Sequence, residues 1–282
     1  MFFKQYLEDK LSQKVLKITT ISGGDINEVY SIETAKKKFV LKMNTSSDFP
    51  KMFEKEKDGL ERISKSGAIT PKVIQVFENE KHQFLLLEFI EEGHTKNEFW
   101  KLFAEDLVAI HRTTSSSFGL EYDNYIGSLN QKNTIKNTWE SFFIENRIQP
   151  LVKQAFNKGL LQTNHIKLFE KLFLRLDEIL PKEKPSLIHG DLWSGNLINR
   201  NGLSPVFIDP AIYFGNREMD IAMTQMFRGF NDDYLQYYMD LFPLEQGWEE
   251  RLKTHNLYPG LVHLNLFGQS YLGGIERMIN QF

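Results

Sequence analysis

His189-Gly190-Asp191-Leu192-Trp193-Ser194-Gly195-Asn196, followed downstream by Phe207-Ile208-Asp209-Pro210, is the stretch on which the reading of this chain turns. Phosphoryl transfer from ATP asks little covalent help of a protein. The acceptor hydroxyl must be positioned, its proton accepted, and the phosphate charge neutralised by magnesium. An aspartate on a loop beside the acceptor does the first two. An asparagine oxygen and a second carboxylate hold the metal, because Mg2+ prefers a few hard oxygen ligands and keeps its remaining waters. In kinases these groups come as H-x-D-x-x-x-x-N and then an aspartate just after a strand. Asp191 and Asn196 have that spacing, and Asp209 follows the β-like run Val206-Phe207-Ile208. Singly, an Asp or Asn in a loop is a turn former or helix cap. In this order, each beside a β-like run, they point to Asp191 as catalytic base and to Asn196 and Asp209 as metal ligands. His189 is expected to orient the loop and not to exchange protons.

The upstream half supplies an independent check. Phe39-Val40-Leu41-Lys42 reads as a strand ending in a lysine, as a cation touching the α- and β-phosphates requires. Its partner would be a glutamate on the following helix, where Glu54, Glu56 and Glu61 are candidates. Phe53 and Leu60 mark that helix's buried stripe, so Glu56, about one turn after Phe53, lies at its inner edge; Glu54 is the alternative. Ser22-Gly23-Gly24-Asp25, between two strands, brings backbone N–H groups of Gly23 and Gly24 within reach of the phosphates. It is not the full G-x-G-x-x-G pattern, and alone reads as a hairpin turn. Glu88, Phe89 and Ile90 sit at a predicted hinge, where backbone groups are placed to bond adenine.

Around these motifs the chain divides into two unlike parts. Short β-branched runs at 15–18, 29–32 and 38–42 predict an antiparallel meander, with a helix over 4–14 before it and another over 53–65 after it. Residues 73–77 and 84–89 predict two more strands. From Phe99 the pattern turns helical, over 99–112, 138–154, 165–180 and 233–241, with a short β-like pair at 186–188 and 205–208. The expectation is an α+β, two-lobed protein-kinase-like fold: a small antiparallel N-terminal lobe over 1–90, a larger helical lobe over 91–282, and a hinge at about 88–93.

Composition excludes other classes. The 282 residues are 41% hydrophobic and 25% charged, with net charge −3 and no basic stripe that would suit nucleic acid. The apolar runs are too short to span a bilayer, and Met1-Phe2-Phe3-Lys4 lacks the zones of a signal peptide. With no cysteine there is neither disulfide nor zinc–thiolate chemistry, which fits a cytoplasmic protein. Nothing in the sequence specifies an oligomeric state.

At this point the residues resemble the fructosamine (ketosamine) kinase family, relatives of the aminoglycoside phosphotransferases. The likeness runs from Gly23-Gly24-Asp25-Ile26-Asn27, residues 39–44 and Met52-Phe53-Glu54-Lys55-Glu56 to Arg147-Ile148-Gln149-Pro150, the 189–196 stretch and Asp209-Pro210-Ala211. It continues through Met226-Phe227-Arg228-Gly229-Phe230 to Phe267-Gly268-Gln269-Ser270-Tyr271. The H-G-D-L-W-x-G-N string with D-P-A is its most specific part. The resemblance implies transfer of the γ-phosphate of ATP, with Mg2+, to the 3-hydroxyl of a ketosamine carried on a small amine, an amino acid or a protein lysine. It implies Asp191 as base, Asn196 and Asp209 at the metal, Lys42 and Glu56 as the ATP-positioning pair, and Glu88, Phe89 and Ile90 at adenine. Trp193 is expected on the sugar side, where an aromatic face suits C–H surface; its other reading is a loop residue packed into the core.

Pro210 after Asp209 fixes φ and lacks an N–H, so a flipping Asp-Phe-Gly type switch is not expected and the enzyme should be constitutively competent. Two rival readings remain. A kinase for aminoglycosides or choline is one, although residues 257–282 are apolar and aromatic with few acids, which suits a less charged acceptor. A nucleotide-binding pseudokinase is the other, disfavoured because no catalytic group is replaced.

Overall fold

Phe84-Leu85-Leu86-Leu87 is apolar at consecutive positions, a pattern a strand carries when both of its faces are covered. A computed structural model, describing residues 2–21, 26–96, 98–227 and 229–281, has that arrangement. Helix α1 (Phe2–Leu11) precedes strands β1 (Val15–Thr20), β2 (Glu28–Thr34) and β3 (Lys38–Thr45). Helix α2 (Met52–Lys65), β4 (Val73–Glu78) and β5 (His82–Glu88) follow. The five strands form one antiparallel sheet in the order β1-β2-β3-β5-β4. Phe84 and Leu86 pack with Leu7 of α1, Val15, Ile32 and Leu41. Leu85 and Leu87 face the other way, against Met52, Phe53 and Leu60 of α2. This period of two puts the sheet between the two helices; truncating a buried leucine here to alanine costs about 2–5 kcal/mol.

Ile63 of α2 leaves the small lobe's core and joins the large one, in a cluster with Phe103, Leu107 and Ile212. Helix α3 (Phe99–His111) leads to the hairpin β6 (Asn124–Ile126) and β7 (Leu129–Gln131). The helix expected over 138–154 is instead α4 (Trp139–Phe142), a π turn (Phe143–Ile148) and α5 (Gln149–Asn157). The π turn seats the buried Arg147, whose guanidinium lies 3.9 Å from the centre of the Tyr213 ring and donates to Asn133. The helix expected over 165–180 breaks into α6 (Thr163–Phe173) and α7 (Leu176–Ile179). Leu174 at the break is 85% exposed, while Leu176 is fully buried.

Strands β8 (Ser186–Ile188), β9 (Leu197–Arg200), β10 (Ser204–Phe207) and β11 (Tyr213–Gly215) correct the pairing read from sequence. β8 pairs with β11 and β10 with β9, so the two runs expected as a β-like pair are strands with different partners. The reason is the turn at Asn201-Gly202, whose residues have φ of 54° and 84° and close a local hairpin before any longer pairing can form. Helices α8 (Glu218–Met226), α9 (Asp233–Leu241), α10 (Trp248–His255), α11 (Leu257–Phe267) and α12 (Leu272–Ile279) complete the helical lobe. No helix among the described residues is long and apolar enough to cross a membrane.

Candidate active site

The loop carrying Asp191 is built from its backbone outward. The N–H groups of His189 and Gly190 donate to the carboxylate of Asp220 on α8, at 2.7 and 2.9 Å. Gly190 has φ 80°, and a Cβ there would stand 2.2 Å from the carbonyl oxygen of Ala211, so only glycine fits. The His189 ring donates from Nε2 to the Ile208 carbonyl at 2.9 Å and accepts the Asp191 N–H at Nδ1. Burial holds this imidazole below the usual histidine range, and with both nitrogens engaged by backbone it is an orienting group.

Asn196 ends the short turn Ser194–Asn196, and its side-chain N–H2 donates to both the carbonyl and the carboxylate of Asp191, at 2.8 and 2.9 Å. Burial pushes the Asp191 carboxyl up to about 7; the Asn196 bond opposes the shift, and the charges of Asp209 and Asp220 add to it. A carboxylate poised there suits a general base near neutral pH. The Ile208 N–H donates to the Asn196 carbonyl at 3.1 Å, locking the strand before Asp209 to the loop after Asp191. Asp209 itself has φ 54°, a conformation held by the loops around it.

Lys42, on β3 and buried, donates to Glu56 at 2.6 Å and to Asp209. Burial works against its charge, but the carboxylates of Asp209 and Glu56 outweigh that and hold the ammonium protonated, above the usual lysine range. Glu54 is exposed, so the helix face puts Glu56 and not Glu54 at the lysine. Gly59, one turn on, lets α2 settle on the loop after Asp209: a Cβ there would lie 3.1 Å from the Pro210 ring. From the helical lobe, Tyr122 donates to Asp58 of α2, and Arg62 bridges Asp58, at 2.6 Å, and Glu121.

Glu56, Asp191, Asn196 and Asp209 line one cavity of about 600 Å3 between the lobes. Two hard oxygen donors, the Asn196 side-chain oxygen Oδ1 and the Asp209 carboxylate, are available there for a magnesium ion once the Asn196 nitrogen is engaged by Asp191. No group of three or more His, Cys, Asp or Glu able to hold a metal exists among the described residues. That donor set fits an ion shared with phosphates and water, not one caged by protein. Trp193, 40% exposed, also lines the cavity and is not packed into the core. Gly195 lies against its indole so closely that a Cβ would fall 2.1 Å from the ring.

Four expected positions do not line this cavity, and of these Lys42 meets it through Glu56 and Asp209. Glu88, Phe89 and Ile90 do not line it; the Glu88 carboxylate accepts the Lys72 N–H and pairs with Arg200 at 3.5 Å. Gly23 and Gly24 lie outside the described residues. Conversely, sequence reading assigned no role to Asp220, nor to Phe227, His263, Phe267 and Tyr271, which line the cavity beside Trp193. The aromatics fall in or next to stretches that carry the family resemblance, which is the signal that could have found them. Asp220 had none, being one acid in the first turn of an apolar helix.

A five-stranded sheet with a buried lysine–glutamate pair, set over a helical lobe whose loops present Asp191, Asn196 and Asp209, defines a two-lobed kinase-like phosphotransferase. The aminoglycoside phosphotransferase APH(4)-Ia shares that fold at a TM-score of 0.69 and 17% identity, over 99% of this chain and 97% of that one. The chain belongs to the fructosamine kinase family, whose model matches residues 2–282. A protein named probable ketoamine kinase from Enterococcus faecium is 37% identical over 280 residues, 97% of this chain and 96% of that one. The crystal structure of a Thermobifida fusca protein assigned to the fructosamine-3-kinases superposes with a TM-score of 0.88 at 30% identity, covering 98% of this chain and 96% of that one.

Proposed function

We propose that this protein transfers the γ-phosphoryl group of ATP to the 3-hydroxyl of ketosamines, the fructosamine and ribulosamine adducts that sugars form with amines. The observation that carries the reading is the convergence of Asp191, Asn196, Asp209 and the Lys42-bound Glu56 on one cavity that also holds Trp193. Family membership supplies the acceptor class. In this reading residues 1–90 form the ATP lobe and 91–282 the catalytic lobe. Gly23 and Gly24 approach the phosphates, and remaining backbone groups of Glu88, Phe89 and Ile90 meet adenine.

Asp191 orients the acceptor hydroxyl and takes its proton as the new O–P bond forms and the bond to the ADP oxygen breaks. Asn196 holds the Asp191 carboxylate in place and, with Asp209, would hold magnesium, which when bound neutralises phosphate charge. Lys42, fixed by Glu56, meets the α- and β-phosphates. Trp193 faces the sugar. The fold needs no phosphorylated loop, since Pro210 sits against Gly59 and α2 is tied to the helical lobe through Tyr122. A chain without cysteine is compatible with work in the cytosol.

A coupled ADP-release assay with Mg-ATP, comparing ribuloselysine, fructoselysine, kanamycin and choline, tests the reading. Turnover with a ketosamine and not with the others is expected. Turnover only with kanamycin or choline would overturn the acceptor, and ADP release with none of them would favour a nucleotide-binding module without this chemistry.

A further inference from the structure

The cavity has two unlike kinds of lining. Its carboxylates, among the described residues, are Glu56, Asp191 and Asp209. Glu56 and Asp209 are bound to Lys42, and Asp191 is held by Asn196. Another part of the lining is aromatic. His263 lies 4.9 Å from Phe227, 5.5 Å from Phe267 and 5.0 Å from Tyr271, centre to centre, and the three rings tilt by 38–48° to its plane. Phe267 is 47% exposed and Trp193 40% exposed, so both present ring surface to the cavity.

Resting on the ketosamine reading, we propose that Trp193, Phe227, Phe267 and Tyr271 recognise the protonated secondary amine of the adduct by cation–π attraction, so that the enzyme selects basic-amine adducts over neutral ones. Covalent geometry keeps the amine inside the cavity that these rings line. Three bonds separate C3 from the nitrogen, so the ammonium lies within about 5 Å of the 3-oxygen that Asp191 receives. The cavity's carboxylates serve Lys42, the metal and the acceptor hydroxyl, and a desolvated alkylammonium is then met by aromatic faces. The cavity already contains one such contact, since the Lys55 ammonium sits 4.6 Å from the centre of the Tyr125 ring. The absence of a side chain at Gly195 leaves the room in which the Trp193 indole lies against the loop.

The test compares N-propyl fructosamine with 1-O-propyl fructose, in which an ether oxygen replaces the amine, using the full-length enzyme and Mg-ATP. Wild type is expected to favour the amine in kcat/KM by about 10-fold or more. Phe267→Leu, at the solvent-facing end of α11, should lower kcat/KM for the amine by about 3–10-fold and leave the ether unchanged, while Phe267→Tyr retains the preference. Phe227→Leu, just after α8, should give the same selective loss. Equal kcat/KM for both compounds in wild type, or parallel losses in the variants, overturns the inference while leaving the ketosamine reading standing. Phosphorylation of neither compound overturns both.

Discussion

Around the cavity Lys42 ties Glu56 to Asp209 and Asn196 ties down Asp191 by hydrogen bonds, whereas Phe227, Phe267 and Tyr271 stand around His263 as rings in the lining that also includes Trp193. The first arrangement fixes charge at points, as transfer of a phosphoryl group demands of any acceptor. The second offers area and an electrostatic preference through ring faces, which suits an amine whose substituent varies. The chemistry is therefore specified by polar bonds and the choice of acceptor by ring surface, and the two can be broken separately.

The largest separation is expected from Asp191→Asn. Loss of the base should lower kcat by about 1000-fold while ATP binding, followed by nucleotide fluorescence or calorimetry, stays within a few-fold of wild type. Equal loss of both would contradict the assigned role. The same change should stabilise the fold at alkaline pH. The folded-state pKa of Asp191 is raised to about 7, so its stability contribution is complete below the ordinary carboxylate range and lost as pH rises through 7. Removing the charge should raise Tm by roughly 2–6 °C at about pH 8 and by nothing at about pH 4.

Next in size is Lys42→Met, which leaves two carboxylates facing each other. It should reduce kcat/KM for ATP by about 100-fold and change KM for the ketosamine little. A rise confined to the ketosamine KM would place the lysine on the wrong side of the cavity. Smaller again is the pH response of the wild type. With Asp191 acting as base, kcat/KM should climb on the order of 20-fold between about pH 5.5 and 7.5 and then level. A flat or falling profile would remove the base from Asp191.

The smallest effect is expected from Tyr122→Phe, which frees Asp58 of α2 from one hydrogen bond. Loss of about 1 kcal/mol from the tie should raise KM for ATP by about 5-fold, with the ketosamine KM unchanged. An unchanged ATP KM would mean that α2 is held by its apolar contacts alone.

The contrast between the two sets of residues also explains what the sequence made legible. Asp191, Asn196 and Asp209 are spaced by local chain geometry, so their order alone brought them together. Glu56 followed from the Phe53–Leu60 stripe, because a helix face is a local property. The pairing of β8 with β11 depends on the intervening hairpin at Asn201-Gly202, itself a strong local turn signal. The aromatic wall was hidden for a physical reason. Phe267 and Tyr271 end an apolar helix and follow it at a spacing of four, which is how core residues look, and only the tertiary fold turns them toward Asp191. Asp220 was hidden likewise, a carboxylate whose partners are backbone N–H groups thirty residues or so upstream.

The central claim is tested most directly by the structure of the product. Incubated with Mg-ATP and N-propyl fructosamine, the protein should yield a single phosphate monoester whose phosphorus couples to the proton on C3 in a 31P–1H correlation NMR spectrum. Coupling to the protons of another carbon, or conversion of ATP to ADP and inorganic phosphate with the ketosamine unchanged, would contradict the account.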